Sequence, residues 1–432
     1  MRVLMFTQYY PPEVGATQNR IAHFARSLVM QGHSVTVVTA LPNHPAGIIQ
    51  QGYRRRLWMR RVEDGVAVVR VWVATAPRKT FVTRLAFYLS YVCHALVAGL
   101  LLTGRRHDVV FATSPPLTVG LPGVLYARLR TVPFVLDVRD LWPILAVELG
   151  EMRQPGIVRL ARRLERLLYR HATAVTVVTL GFGTYLREQG LPDDRIGFLP
   201  NGTIPEVFRP LPLDDSLRGS LGLDGRFVVG FFGNHGIAQD LEGVLKTAHL
   251  MARDERVHFL FVGEGPVKAD LMKEQQRLGL ANVTFLRQVS LAEVTRYISL
   301  TDTMVVPLRR LDLFRTFIPS KLFDFMACAK PILLQVDGEA REILEQAGAG
   351  LFVPPGDPPA LAAAIQRMVE MSRDERVAMG AAGLDSVRRH YLRDAQALRL
   401  EAILQALVSG GRVPEAARVT RATAHPMVDP AA

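Results

Sequence analysis

The strongest constraint on this chain is an alternation, run through twice, of short β-branched apolar runs with stretches of helical periodicity. In the first half the runs are RVLMFT (2–7), SVTVVTA (34–40), VAVVRVWV (66–73), DVVFA (108–112), VPFVLD (132–137) and AVTVV (174–178). In the second they are FVVGFF (227–232), VHFLFV (257–262), VTFL (283–286), TMVVP (303–307) and ILL (332–334). Between runs, apolar residues recur on one helical face, as Ile21, Phe24, Ala25, Leu28 and Val29 do after Thr17, which reads as a cap. Such alternation predicts parallel sheets with crossover helices. The fold class is therefore α/β: two doubly wound, Rossmann-like domains facing across a cleft, with functional groups at the carboxyl ends of the strands.

A Pro-rich hinge at about 200–212 separates a first domain, 1–205, from a second, 206–380. A helical segment at 381–411 is expected to pack back toward the first domain. The polar, Ala/Arg/Pro-rich stretch 412–432 reads as a disordered tail.

Net charge is +12, and it is uneven: residues 1–200 carry 25 Lys+Arg against 12 Asp+Glu. The excess belongs to the first half, which points to an anionic partner such as a membrane surface. Zinc-finger spacing, RNP-like motifs and aromatic–basic interleaving do not occur, so nucleic acid is not expected. The two cysteines, Cys93 and Cys328, define no disulfide framework and fit a reducing compartment. The stretch 85–102, LAFYLSYVCHALVAGLLL, is long enough to span a bilayer. A strand of the same domain follows it directly, so it reads as a buried or partly interfacial helix. Its basic flanks Arg78, Lys79, Arg84, Arg105 and Arg106 are suited to lipid head groups. This places the protein in the cytoplasm, peripheral on the inner face of the membrane.

The most informative stretch runs from Arg315 to Arg341. After the run 303–307, Pro319 and Ser320 open a helix, with Ser320 as its cap. Lys321 lies in the first turn, where the helix dipole disfavours a cation unless an anion shares the site. Asp324 lies one turn on, on the same face. A phosphate-seeking lysine beside a hydroxyl-seeking carboxylate equips a strand-to-helix crossing for a nucleoside diphosphate and its ribose; the same residues also fit a plain surface ion pair. Gly233-Asn234-His235-Gly236 follows another strand and can bring N–H groups to phosphate. His235 stands inside that loop. Arg315 is a further cation for the diphosphate, and Glu264 flanks the base or merely a turn. Asp140, just past the strand at 132–137, is a candidate for chemistry or a helix cap. Gly15 allows close ligand approach or is a turn glycine. No Asp-x-Asp pair is present, so no metal is expected: Asp337-x-Glu339 reads as a cap of the next helix.

Taken together, YYPPEVGATQNR, HSVTVVTALPNH, TSPPL, DVRDLWP, PNGT, FFGNHG, VGEG and PSKLFDFMACAKPILL cover nearly the whole chain, about 1–407. In these motifs the chain resembles the family-4 retaining glycosyltransferases of GT-B architecture, of the bacterial O-antigen, capsule and exopolysaccharide type. The resemblance implies a nucleoside-diphosphate sugar as co-substrate, UDP favoured over GDP, and no cofactor. It implies transfer of a sugar, a hexosamine or deoxyhexose, with retained configuration to a lipid-linked or oligosaccharide acceptor. Donor contacts are then expected from Gly15, Gly233, Asn234, Gly236, Glu264, Val289, Arg315, Ser320, Lys321 and Asp324. Acceptor contacts are expected from Asn43, His44 and Arg139, and catalysis from Asp140 and Lys321. The paired glutamates of the family become Thr316 and Asp324 here. An epimerase of similar fold and a non-catalytic sugar-nucleotide-binding subunit are the other readings.

Overall fold

The computed structural model describes residues 1–419 apart from Pro45, Arg78, Lys79 and Arg105. Those basic flanks, and residues 420–432 of the expected tail, lie outside the described residues. The described residues divide into two units: Met1–Pro200 with residues 393–419, and Asn201–Leu392.

The first unit is built on an eight-stranded sheet. Its strands are β1 (Arg2–Phe6), β2 (Ser34–Ala40), β3 (Trp58–Glu63), β4 (Val66–Val71), β5 (Val109–Ser114), β6 (Phe134–Val138), β7 (Ala174–Val177) and β8 (Ile196–Phe198). They lie in the order β3-β4-β2-β1-β5-β6-β7-β8, and every neighbour is parallel except the β3/β4 hairpin. The central strands are buried along their length, as sheets covered on both faces require. The order reverses between β1 and β5, the place where such sheets bind ligands.

The second unit holds β9 (Phe227–Phe232), β10 (Val257–Val262), β11 (Val283–Leu286), β12 (Thr303–Pro307), β13 (Ile332–Gln335) and β14 (Gly350–Phe352). All are parallel, in the order β11-β10-β9-β12-β13-β14, with the reversal between β9 and β12.

Several local expectations change. Arg54, Arg55, Arg56, Arg60 and Arg61 read from the sequence as a solvated charge run, and they are exposed; in addition Trp58–Glu63 pairs with β4 as an edge strand. The first helix, Ala16–Met30, starts after Gly15, and Thr17 is inside it rather than capping it. The helical segment at 381–411 is two helices, Arg373–His390 in the second unit and Arg393–Val408 in the first. The break falls where Tyr391 stacks on Phe323 at 4.3 Å and offers its carbonyl to the Thr203 amide. The tail begins later than expected: the Val413 amide bonds the Asp194 carbonyl, Arg418 bridges Gly197, and Val413, Ala417 and Val419 are buried.

Helix Arg393–Val408 completes the first unit's core, where Leu400, Ile403, Leu404 and Leu407 cluster with Val3, Phe24 and Leu28. The apolar helix Phe81–Leu101 has two faces. Tyr91, Ala95 and Ala98 are buried, and the Tyr91 hydroxyl donates to the carbonyls of Thr7 (2.8 Å) and Val38 (3.0 Å). Val82, Leu85, Leu89, Cys93, Val97 and Leu101 form an exposed stripe at helical spacing on the other side. The helix is therefore part of this unit's packing and also presents an unusually apolar outer surface.

If the returning helix is core, Leu404→Ala should cost about 2–5 kcal/mol through the cavity it leaves. Urea unfolding followed on the first unit's Trp58 and Trp72 would register the loss; an unchanged midpoint would show that the helix is peripheral.

Candidate functional site

In the second unit the loops after β9 and β10 are locked together through their backbones. The Gly233 amide donates to the Val262 carbonyl at 2.9 Å, His235 to Glu264 at 2.9 Å, and Val267 to the His235 carbonyl at 3.1 Å. Glycine is required where these strands of chain cross. A Cβ on Gly263, whose φ is +150°, would overlap the Gly233 carbonyl oxygen, and one on Gly265 would overlap the His235 backbone.

His235 is the wedge between them. Its ring is fully buried among Phe231, Phe261 and Phe285, with centroids 5.5, 6.3 and 6.1 Å away. Neither ring nitrogen has a hydrogen-bond partner among the described residues. Burial, then the positive charges of Lys268 and Lys321, push its pKa down to about 4, so it is neutral. Its position inside the Gly loop is thus structural.

Lys321 starts the short helix Lys321–Ala327, which follows β12 and an intervening 3-10 turn. Its ammonium nitrogen lies 4.0 Å from the Phe231 ring centroid, and a Cβ on Gly233 would come within 3.1 Å of it. The nitrogen is buried and has no hydrogen-bond partner among the described residues. Burial lowers its pKa to about 7, with Asp324 acting in the opposite direction. A buried ammonium without an acceptor is expensive, so this is a place prepared for a negative group. It sits with Gly233 at the strand-order reversal of its sheet.

Around this pair the expected donor residues divide. Asp324 lies one turn beyond Lys321, with Oδ1 accepting from the Thr203 hydroxyl at 2.8 Å. Ser320 does not cap the helix: it is itself in the helical region and makes no side-chain cap bond. Arg315 faces Asp337 at 3.2 Å. Asp337 also meets Arg341 at 3.6 Å and is not the cap of the following helix, Glu339–Ala347, which Gly338 precedes. Glu264 is half exposed and paired with Lys268 at 2.8 Å, whose ammonium also ties the Gly263 and Leu286 carbonyls together. Asn234 folds its amide over Gly236, where a Cβ would come within 2.6 Å of it. Val289 is half-buried in the loop after β11.

In the first unit, the carboxyl end of β6 carries a polar network that sequence reasoning missed. Asp137 is fully buried and accepts from Thr113 (3.1 Å), Thr176 (2.9 Å) and Arg20 (3.3 Å). Arg20 also donates to the carbonyls of Leu199 (2.7 Å) and Pro200 (2.9 Å). Arg139 is tied in by its Nε bond to the Thr113 hydroxyl at 2.9 Å. Burial pushes the neighbouring Asp140 up to about 6, with Arg139 pulling the other way. A charged residue in the apolar register of the first helix, Arg20, was the available hint.

A separate cavity of about 270 Å³ lies in the same unit, lined by Tyr9, Asn43, His44, Arg84, Phe87 and Tyr88 among others. Of the expected acceptor residues, Asn43 and His44 line it and Arg139 does not. Glu13, buried and also missed in the sequence, fixes its wall: Oε1 accepts the amides of Asn43 (2.7 Å) and His44 (2.6 Å). Gly15 precedes the first helix in extended backbone, φ 169°, and is not held to glycine by strain. Among the described residues, no group of three or more His, Cys, Asp or Glu is placed to hold a metal.

Two Rossmann-like units of this kind, with nucleotide-type loops in the second, define a GT-B glycosyltransferase fold. The solved structures agree. Sucrose-phosphate synthase from Thermosynechococcus elongatus superposes with a TM-score of 0.75 over 95% of this chain and 100% of its own, at 18% identity. Anabaena Alr3699/HepE in complex with UDP and glucose gives 0.70 over 94% and 100%, also at 18% identity. Residues 15–202 match the glycosyl transferase 4-like domain and residues 226–371 match the glycosyl transferases group 1 domain. The chain belongs to the family-4 type of GT-B glycosyltransferases, those of polysaccharide biosynthesis. Among curated relatives, the putative colanic acid biosynthesis glycosyl transferase WcaI of Escherichia coli is 25% identical over 91% of this chain and 99% of its own. The probable glycosyltransferase WbjE of Pseudomonas aeruginosa is 28% identical over 66% and 72%.

Gly263→Ala tests the interlocked loops. It should lower the thermal midpoint and weaken nucleoside-diphosphate binding together, read by a thermal-shift titration; unchanged binding would mean that the loops tolerate a side chain.

Proposed function

We propose that this glycosyltransferase moves a hexosamine or deoxyhexose from a nucleoside-diphosphate sugar to a lipid-linked or growing cell-surface polysaccharide. Transfer retains the anomeric configuration and uses no bound metal. The observation that carries the donor side is the buried, unpartnered ammonium of Lys321 beside Gly233. UDP is the favoured nucleotide, in keeping with the UDP complex of the Anabaena neighbour.

In the reaction, the bond from the sugar's C1 to the diphosphate oxygen breaks as one forms from C1 to an acceptor hydroxyl, which gives up its proton. Negative charge collects on the departing diphosphate. Lys321 is the group to stabilise it, in a setting where water does not screen the charge. Asp324, already held by Thr203, orients the ribose hydroxyls. Asn234, Gly236, Glu264, Val289, Arg315 and Ser320 complete the donor side, with Gly15 as a further donor residue. On the acceptor side stand Asn43, His44 and Arg139. Asp140, lifted to about 6, is suited to orient the attacking hydroxyl or receive its proton.

The protein works in the cytoplasm, peripheral on the inner face of the membrane. The exposed apolar stripe of helix Phe81–Leu101 and the basic excess of residues 1–200 support this reading. High salt should release the protein from anionic vesicles if charge dominates, while release by detergent alone would assign the hold to the stripe.

The proton balance at Lys321 gives a sign. With a pKa of about 7 in the free site, the lysine must be protonated to meet the diphosphate, so binding takes up a proton. Affinity for a sugar nucleotide should be greatest below pH 7 and fall by up to roughly tenfold per pH unit above it. Lys321→Ala should weaken diphosphate binding far more than nucleoside binding and flatten this profile. Equal losses for both ligands would misplace the phosphates. Turnover of a panel of UDP-, GDP- and dTDP-sugars with membrane lipid tests the activity itself: product from one donor supports it, and none from any donor ends it.

A further inference from the structure

We infer that the cavity under the N-terminal turns of helix Phe81–Leu101 is a saccharide subsite that stacks one uncharged sugar ring of the acceptor on Phe87 and Tyr88. This rests on the transferase reading above and specifies its acceptor. The helix contributes Thr83, Arg84, Phe87 and Tyr88, which fall on the face that one to two turns further on carries buried Tyr91, Ala95 and Ala98. The inward face of the helix thus overhangs the sheet at its start, and the cavity is the space left beneath it.

The lining matches a sugar. Tyr9 stacks near Phe87, with centroids 6.4 Å apart and planes at 28°, and Tyr88 tilts against Phe87 at 5.6 Å. His44 meets Tyr9 edge-on at 5.3 Å. These rings supply flat apolar walls for the C–H faces of a pyranose. Asn43, Thr75 and Thr83 add polar atoms to the lining; Asn43 Nδ2 already donates to the Leu41 carbonyl and Thr83 takes part in the cap of the helix with Thr80. The volume, about 270 Å³, lies below the roughly 300–1,000 Å³ usual for drug-sized ligands and leaves room for a single ring with its substituents.

The charges argue for a neutral ring. Among the described residues, Arg84 is the cation lining the cavity, and it faces Glu151, also in the lining, at 3.7 Å. The nearby acid Glu13 is committed through Oε1 to the Asn43 and His44 amides. An anionic sugar would have to compete with Glu151 for Arg84, and a cationic one with Arg84 for Glu151. Glu13 acts at one remove, as a positioning residue for the Asn43–His44 wall.

The test uses the full chain with methyl glycosides of glucose, galactose, N-acetylglucosamine and fucose, with methyl glucuronide, decyl phosphate and inorganic phosphate as counter-probes. Saturation-transfer NMR should show at least one neutral glycoside bound through its ring C–H protons. Phe87→Leu and Tyr88→Leu should each weaken it by tenfold or more, while the thermal shift given by UDP stays as in the parent and certifies the fold. Glu13→Ala should weaken the glycoside without abolishing it, and Glu13→Gln should restore most of the loss. Binding of only glucuronide, phosphate or decyl phosphate overturns the inference, as does glycoside binding that survives both ring substitutions. No glycoside binding alongside a normal shift for a nucleoside diphosphate sinks the subsite and leaves the donor reading standing. No shift for any nucleoside diphosphate sinks the donor reading, whatever the glycosides do.

Discussion

The donor side of this protein depends on two loops passing closer than side chains allow. The turns after β9 and β10 cross with carbonyl and amide groups in direct contact, and any Cβ at Gly263 or Gly265 would occupy space already filled by backbone. The hydrogen bonds at the crossing fix where Gly233 lies, and Gly233 in turn lies against the Lys321 ammonium. Neutral His235, packed among three phenylalanines, fills the space behind the crossing with apolar surface. The same residue kept charged would carry an unmatched proton into that core.

The Arg20–Asp137 pair and Lys321 bury charge in opposite ways, and the contrast separates scaffold from candidate site. Arg20 and Asp137 are 3% and 0% exposed, yet each makes several hydrogen bonds to hydroxyls, carbonyls or its partner. Breaking such a pair costs about 3–5 kcal/mol because the survivor is left uncompensated. Its main partners are built into the fold, so it braces the carboxyl ends of the strands around β6. Lys321 is buried as deeply at its nitrogen and lacks such partners. Folding leaves its requirement open, and a ligand can meet it.

Much of this was legible in the sequence. The strand runs and their order gave two parallel α/β units, because buried parallel strands are continuous apolar runs. Lys321 and the Gly loop stood out because both break local rules, a cation at a helix start and glycines at a strand end. What escaped depends on distant pairing. The edge strand Trp58–Glu63 is masked in the sequence because Arg60 and Arg61 interrupt its short apolar pattern. Arg20, Asp137 and Glu13 find their partners 30 to 180 positions away, and no local pattern announces that. The aromatic cavity joins Tyr9 to Phe87 in the same non-local manner. Ser320 is not a cap because the chain enters the helix already in helical conformation, whereas a capping residue takes non-helical backbone angles.

Helix Arg393–Val408 gives the first unit an order of assembly. Its leucines and Ile403 lie against Val3 and Phe24, so the unit's hydrophobic interior draws on both extremes of the chain. As the protein leaves the ribosome, residues 1–200 emerge without their last wall, whereas Asn201–Leu392 is a single uninterrupted stretch that can close on itself first. Of the two units, the one begun first is therefore the one completed last.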